Sequence, residues 1–263
     1  MAARSLRHLI RDATLGAGGG LGSAIARTLA REGARVALAD IDLAAASRVA
    51  DEIGATGAQA IAMQWDLGDL AVIDANMARI EHELGPVDVL VNNTGGPPPT
   101  PVSGQTSALW SQHFQSMLMS VIAITDRVLP GMRERKFGRI VTSTSSGVVT
   151  PIVNLGLSNA LRMTLLGWSK TLAREVGKDG ITCNIVLPGR VATGRIQFLD
   201  EQKAKREGRP VADVTAESNA SIPVGRYGEP QEYADVVAFL ASRNASYVTG
   251  SVIRVDGGLI ANI

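Results

Sequence analysis

The feature that most limits what this chain can become is an alternation: short runs of β-branched and small apolar residues, each followed by a longer stretch with helical spacing. RVALAD at 35–40, AQAIAMQ at 58–64, VDVLVN at 87–92, GRIVTST at 138–144 and ITCNIV at 181–186 read as strands. Segments 21–32, 43–53, 70–84, 107–132 and 157–177 read as helices, and a final helix–strand unit falls near 229–256. Strands that hand over to helices in this way form a parallel sheet buried on both faces. The reading is therefore an α/β fold, a doubly wound parallel sheet in one domain, because no linker, repeat or low-complexity block divides the chain. Residues 194–220 interrupt the rhythm; they are charged, helix-prone and poor in glycine, and read as a helical flap.

The first helix adds a chemical signal. Leu21, Ala24, Ile25, Thr28 and Leu29 share one helical face, and Gly33 follows as a stop. Before it runs Gly16-Ala17-Gly18-Gly19-Gly20-Leu21-Gly22, where a strand gives way to the helix. Glycines there let backbone N–H groups approach a pyrophosphate at the positive helix end. Asp40, closing the second strand, is placed to accept hydrogen bonds from an adenosine ribose diol, and its charge would repel a 2′-phosphate. No arginine neighbours it on that loop, so NAD is expected rather than NADP. A plain helix-capping role for Asp40 or Asp42 is the alternative. The loop NTGGPPPTPVSGQT after Asn92 cannot be regular structure and is expected over the C-terminal strand ends, where ligands of such sheets bind.

Composition narrows the partners. The 26 Lys and Arg balance 25 Asp and Glu, leaving a net charge of +1 and no basic face that would argue for nucleic acid or an anionic membrane. No apolar run approaches the ~20 residues of a bilayer span, and the opening MAARSLRHLIRDA lacks the apolar stretch of a leader. The lone cysteine, Cys183, suits a reducing compartment. The expectation is a soluble cytoplasmic protein. The 28 glycines exceed the ~7% average by roughly half, whereas there are only three tyrosines.

From about residue 14 to its end the chain resembles the short-chain dehydrogenase/reductase family, near its 3-oxoacyl-acyl-carrier-protein reductase-like branch. Beyond the glycine loop, Asp66-Leu67 resembles the family's adenine contact and Asn92-Asn93-Thr94-Gly95 its NNAG turn. Pro188-Gly189-Arg190-Val191-Ala192-Thr193 resembles the PGxxxT loop that holds the nicotinamide side, and YVTGSVIRVDGG at 247–258 the last strand and closing turn. The resemblance implies a Rossmann-type sheet of about seven strands and NAD(P)(H)-dependent hydride transfer on a hydroxyl or carbonyl, such as a 3-oxoacyl substrate. It also implies a homotetramer or dimer. The apolar helix at 114–129 and the stripe Leu161, Leu165, Trp168 and Leu172 would serve either subunit mates or the core. The cofactor-binding set it implies is Gly16, Gly18, Gly20, Leu21, Gly22, Asp40, Asp66, Leu67, Asn92, Gly95, Pro188, Gly189 and Thr193. No metal is expected.

The family's chemistry uses a Tyr acid, a Lys four residues later, a Ser that polarises the substrate oxygen and an Asn that supports a proton relay. Ser145 matches the serine, whereas the family's spacing puts Ser158 at the tyrosine, Arg162 at the lysine and Met117 at the asparagine. Leu165, Gly167, Lys170 and Leu172 keep the register. A phenol starts near pKa ~10 and a neighbouring cation brings it toward neutrality, which a serine hydroxyl cannot match. Arg162 can offer fixed charge to an oxyanion but no useful proton. Loss of a positioned acid costs ~10²–10⁴-fold, so catalysis should be weakened or altered, and a catalytically silent dinucleotide-binding or regulatory protein is the other reading. His113, one turn before Met117, is read as a packed or solvated side chain, and Arg190 and Arg195 as surface groups or as partners for a ligand's carboxylate or phosphate. Arg11 and Asp12 sit badly in a buried first strand, implying a late start or a distorted sheet edge.

Overall fold

The computed structural model describes residues 11–262; the opening segment up to residue 10, read as lacking a leader, lies outside them. The strands are β1 (Arg11–Leu15), β2 (Arg35–Asp40), β3 (Ala60–Gln64), β4 (Val89–Asn93), β5 (Gly138–Ser143), β6 (Ile181–Pro188) and β7 (Val252–Val255). They form one parallel sheet in the order β3-β2-β1-β4-β5-β6-β7. The order reverses between β1 and β4, the crevice where ligands of doubly wound sheets bind.

Helices cover both faces. On one, Ile25 and Leu29 of α1 (Gly20–Arg31) and Val237 and Leu240 of α9 (Pro230–Ala241) pack on Val36, Val89 and Val141. On the other, α3 (Ile73–Leu84), α5 (Ser120–Glu134) and α6 (Gly156–Val176) bring Met77, Ile124 and Leu172 onto Leu15, Leu90 and Ile140. Burial of this apolar area, about 25 cal/mol per Å², holds the layers together. Of the stripe Leu161, Leu165, Trp168 and Leu172 the three leucines are buried within this one chain, as are Leu118, Val121 and Ile124, and belong to the core, while Trp168 is half-buried.

Two stretches differ from the sequence reading, whereas 194–220 is helical as read. The helix read over 107–132 is two, α4 (Ser107–Phe114) and α5, joined by one wide π-helical turn at Gln115–Met119 in which Ser120 N–H reaches the Gln115 carbonyl. Such a turn inserts a residue and rotates the rest of the helix, here carrying Met117 inward. Residues 194–220 fold as α7 (Gly194–Glu207) and α8 (Val211–Ala220), jointed at Gly208, whose φ of +64° suits a residue without a Cβ. The first strand neither starts late nor lies at an edge: β1 is central and in register with both neighbours.

The two charges of β1 are handled differently. Arg11 donates from Nε and Nη2 to Asp88 (2.8 and 3.0 Å), which also takes Arg135 Nε at 3.1 Å, at the end of the strand away from the crevice. Asp12 is 1% exposed; Thr14 Oγ1 donates to its Oδ2 at 2.5 Å, and its Oδ1 has no partner among the described residues. Burial pushes its carboxyl up to about 7, against the smaller opposing effect of the Thr14 hydrogen bond. Nothing in the structure explains why an aspartate stands there.

Candidate functional site: a cavity at the strand crossover

A cavity of about 730 Å³ lies over the C-terminal strand ends, bordered by the glycine loop, the loop after β4, the end of β5, the start of α6 and the β6–α7 loop. At its first end the wall is backbone. Gly16 has φ +60°, and a Cβ on it would meet Asn93 O at 2.4 Å; on Gly22 it would meet Gly16 O at 2.0 Å, and on Gly20 the Thr193 side chain at 2.7 Å. The N-cap of α1, Gly19, carries no capping side chain, and the first turn has no acidic residue, so the helix presents uncapped N–H groups to the cavity. This cradle fits the pyrophosphate of a dinucleotide.

Asp40 and Asp42 divide two tasks between them. Asp42 caps α2 (Leu43–Ala55), its Oδ1 accepting from Ala45 N at 3.0 Å. Asp40 lines the cavity; its Oδ2 accepts from Gly18 N (2.9 Å) and its Oδ1 from Asp42 N (3.0 Å), so the carboxylate braces the glycine loop from below. Asp66 and Leu67 lie beyond it on the same wall, next to the buried Trp65, whose Nε1 has no partner among the described residues.

Two members of the expected cofactor set stand back from the wall. Gly18 is turned toward Asp40 and Ala45, which a Cβ would meet at 3.1 and 2.8 Å. Asn92 is fully buried, its amide shared between Thr125 and Thr142 (both 3.4 Å), where it ties β4 to β5 and α5; Asn93, whose Nδ2 donates to Gly16 O at 3.3 Å, takes the place on the wall. Gly95, Pro188, Gly189 and Thr193 do line it. Gly189 must be glycine, since a Cβ would stand 2.5 Å from Asp256 Cα, and Thr193 Oγ1 caps α7 at Ile196 N (3.4 Å).

At the far end Ser145, Ser158, Arg162 and Met117 all border the cavity, although Met117 and Arg162 lie 45 positions apart in the sequence. Ser145 begins a single 3₁₀ turn at 146–148, its Oγ accepting from Gly147 N at 3.1 Å, which leaves the hydroxyl proton for a ligand. Ser158, 7% exposed, lies in the first turn of α6. One turn on, Arg162 is tied by Nη1 to Ser143 O (3.3 Å) and by Nη2 to Thr94 O and Gly95 O (both 3.0 Å). Burial, then the nearby Arg195, pull its guanidinium down to about 10, so it stays charged at neutral pH.

Sequence reasoning missed some of this wall and misplaced some of it. His113 does share the Met117 face and borders the cavity, where burial lowers its pKa. Arg190 is not free for a ligand: its Nη2 pairs with the buried Asp200 at 2.9 Å, and Tyr227 Oη donates to the same carboxylate at 2.7 Å. Arg195 donates to Pro97 O at 2.8 Å, across the crevice. Tyr233, one of the three tyrosines, is buried on α9 close enough to Arg162 to feel its charge; its hydroxyl donates to Ser143 Oγ at 2.8 Å, and burial raises its pKa well above the usual phenol value. No linear signal in the sequence connects 233 to 162. Asn154, at φ +58°, also lines the cavity.

Against known proteins, residues 16–260 match the family model described as enoyl-(acyl carrier protein) reductase. The chain is 36% identical over 246 residues to the 3-oxoacyl-acyl-carrier-protein reductase FabG of Escherichia coli (strain K12), covering 93% of this chain and 94% of that one. Among solved structures it superposes at TM-score 0.92 on YwfH, described as an NADPH-dependent reductase involved in bacilysin biosynthesis, with 28% identity over 97% of this chain and all of that one. It superposes at 0.91 on a variant of the actinorhodin polyketide ketoreductase with NADPH, at 32% identity, covering 95% and 97%.

Proposed function

Because the chain belongs to the short-chain dehydrogenase/reductase family of oxidoreductases, on its FabG-like branch, we propose that it binds a nicotinamide dinucleotide in the crevice between β1 and β4 and reduces a carbonyl or oxidises a hydroxyl at reduced efficiency. The observation that carries this reading is the continuity of one cavity from the glycine cradle and Asp40 to Ser145, Ser158 and Arg162. A bound nicotinamide supplies or accepts the hydride. This chain's own groups do the rest: the Ser145 hydroxyl donates to the substrate oxygen, and the Arg162 guanidinium stabilises negative charge that develops there. Neither Ser158 nor Met117 holds a transferable proton at the family's position, so protonation of the product oxygen falls to solvent.

The cofactor we read is NAD(H). Asp40 places a carboxylate at the ribose end, the glycine loop holds no basic residue, and none follows Asp40 before Arg48. The NADPH named for the two solved relatives weighs the other way. Fluorescence titration with NADH and NADPH tests both points: tighter NADH binding is expected, tighter NADPH binding overturns the preference, and binding of neither removes the function. Turnover of labelled NADH with ketones and 3-oxoacyl thioesters, abolished by Ser145→Ala, tests the chemistry. A silent dinucleotide-binding protein is the second reading, favoured by Met117, Ser158 and Arg162 standing at the family's Asn, Tyr and Lys positions; binding without turnover would establish it.

A further inference from the structure

The catalytic end of the cavity holds positive charge that no acidic side chain among the described residues neutralises. Arg162, 8% exposed, donates only to the carbonyls of Ser143, Thr94 and Gly95, and Arg195, reaching in from the first turn of α7, only to that of Pro97. A Cβ on Gly96 would stand 3.5 Å from Arg195 Nη2 and 3.7 Å from Arg162 Nη2, so the two guanidinium groups flank one residue of the loop after β4. Of the other Arg and Lys side chains bordering the cavity, Arg190 is paired with Asp200 and Lys203 with Glu217 at 3.3 Å, whereas Arg206 has no ion pair among the described residues. The acids on the cavity wall, Asp40 and Asp66, belong to the strands of the adenosine end. On the same wall the hydroxyls of Thr94 and Thr144, both buried, have no partner among the described residues.

Two like charges held this close repel each other, and Arg162, which is buried, also loses hydration, whereas Arg195 reaches it from the solvent side; no acidic side chain among the described residues offsets that cost. An anion between them removes it. A carboxylate matches the planar donor fork of arginine, and each guanidinium keeps N–H groups beyond those spent on carbonyls. The pyrophosphate of a dinucleotide has its own place at the uncapped start of α1.

We propose that the substrate is a small oxo or hydroxy acid whose carboxylate binds between Arg162 and Arg195, with its reacting oxygen toward Ser145, rather than a neutral ester or a thioester. This rests on the oxidoreductase reading for the reaction but not for the binding.

The test is calorimetry on the NADH-saturated protein, or on the free protein if NADH does not bind. Pyruvate and acetoacetate are compared with their methyl esters. The acids should bind at least about tenfold more tightly, with an advantage that shrinks as salt rises. Arg195→Gln should cost the acids about 10–100-fold, the size of a lost charge-assisted hydrogen bond, and hardly move the esters, and Arg195→Lys should recover part of the loss. Equal binding of acids and esters overturns the proposal. So does an Arg195→Gln variant that loses NADH affinity as much as acid affinity, because the pair would then serve the cofactor. Hydride transfer is read separately: acid binding without turnover keeps the anion site and removes the oxidoreductase reading, whereas turnover of esters as fast as acids keeps that reading and removes the anion site.

Discussion

At the glycine-loop end of the cavity, from Gly16 to Asp40, the border is built on the close-packed backbone of the glycines and on the Asp40 carboxylate that accepts from Gly18 N. At the other end the border includes Ser145, Ser158, Arg162 and Met117, residues whose chemistry resides in their side chains. Both ends rest on the same sheet, and the main chain follows a ketoreductase at TM-score 0.91 although only 32% of residues agree. The difference lies in what sequence change can remove. A backbone cradle survives as long as the glycines permit close approach, even above a strand as altered as Arg11–Leu15. A proton donor disappears with one side chain, however faithfully the scaffold persists.

The sharpest way to break this contrast is to restore the side chains. Ser158→Tyr with Arg162→Lys and Met117→Asn should raise any reductase rate by ~10²–10⁴-fold, measured as NADH consumption with saturating ketone. No gain with NADH binding intact would mean that the wall itself, and not only its acid, has diverged. The converse experiment fills the cradle. Gly20→Val, whose side chain would collide with Thr193, should weaken NADH binding by about 100-fold, equivalent to roughly 2.7 kcal/mol, with little loss of melting temperature. An unchanged affinity would place the dinucleotide elsewhere.

Asp12 probes what the central strand that leads into the glycine loop tolerates. Its folded pKa of about 7 lies above the unfolded value near 4, so between these the folded chain holds a proton that the unfolded chain has released. Stability should therefore fall as pH rises from about 4 to about 7 and stay lowered above. Asp12→Asn should remove that slope and stabilise the fold by about 1–2 kcal/mol at pH 8, where the wild type must bury a charge, with little gain at pH 4. Chemical denaturation at the two pH values decides it, and an equal effect at both would show that Asp12 does not titrate on folding. The smallest effect is expected at Asp40. Asp40→Ser should shift the NADPH-to-NADH affinity ratio toward NADPH by about fivefold, roughly 1 kcal/mol, by removing the charge that opposes a 2′-phosphate.

Much of this molecule could be read in one dimension. The strands from RVALAD to ITCNIV fall where alternation puts them, because residues that must be buried on both faces are apolar in a run. The resemblance also puts Met117, Ser158 and Arg162 at three of the family's catalytic positions, and all three border the one cavity. The wide turn at Gln115–Met119 was not legible, because a π-turn has the same local composition as the helix it interrupts. Nor was the fate of the charges. Arg190, Arg195 and Arg162 look alike in the chain, and only the packing of α7 against the crevice gives the first a carboxylate partner and leaves the other two with carbonyls.

The sequence by itself determined the parallel sheet, the glycine turn above it and the absence of a tyrosine at the family's spacing, because hydrophobic period, backbone freedom and residue identity are local properties. The tertiary structure alone decided that β1 is central, that Asp12 is buried near the start of that strand and that Arg162 and Arg195 flank Gly96 without a counterion among the described residues. Burial and charge pairing depend on residues tens to a hundred positions apart, and no window along the chain contains both partners.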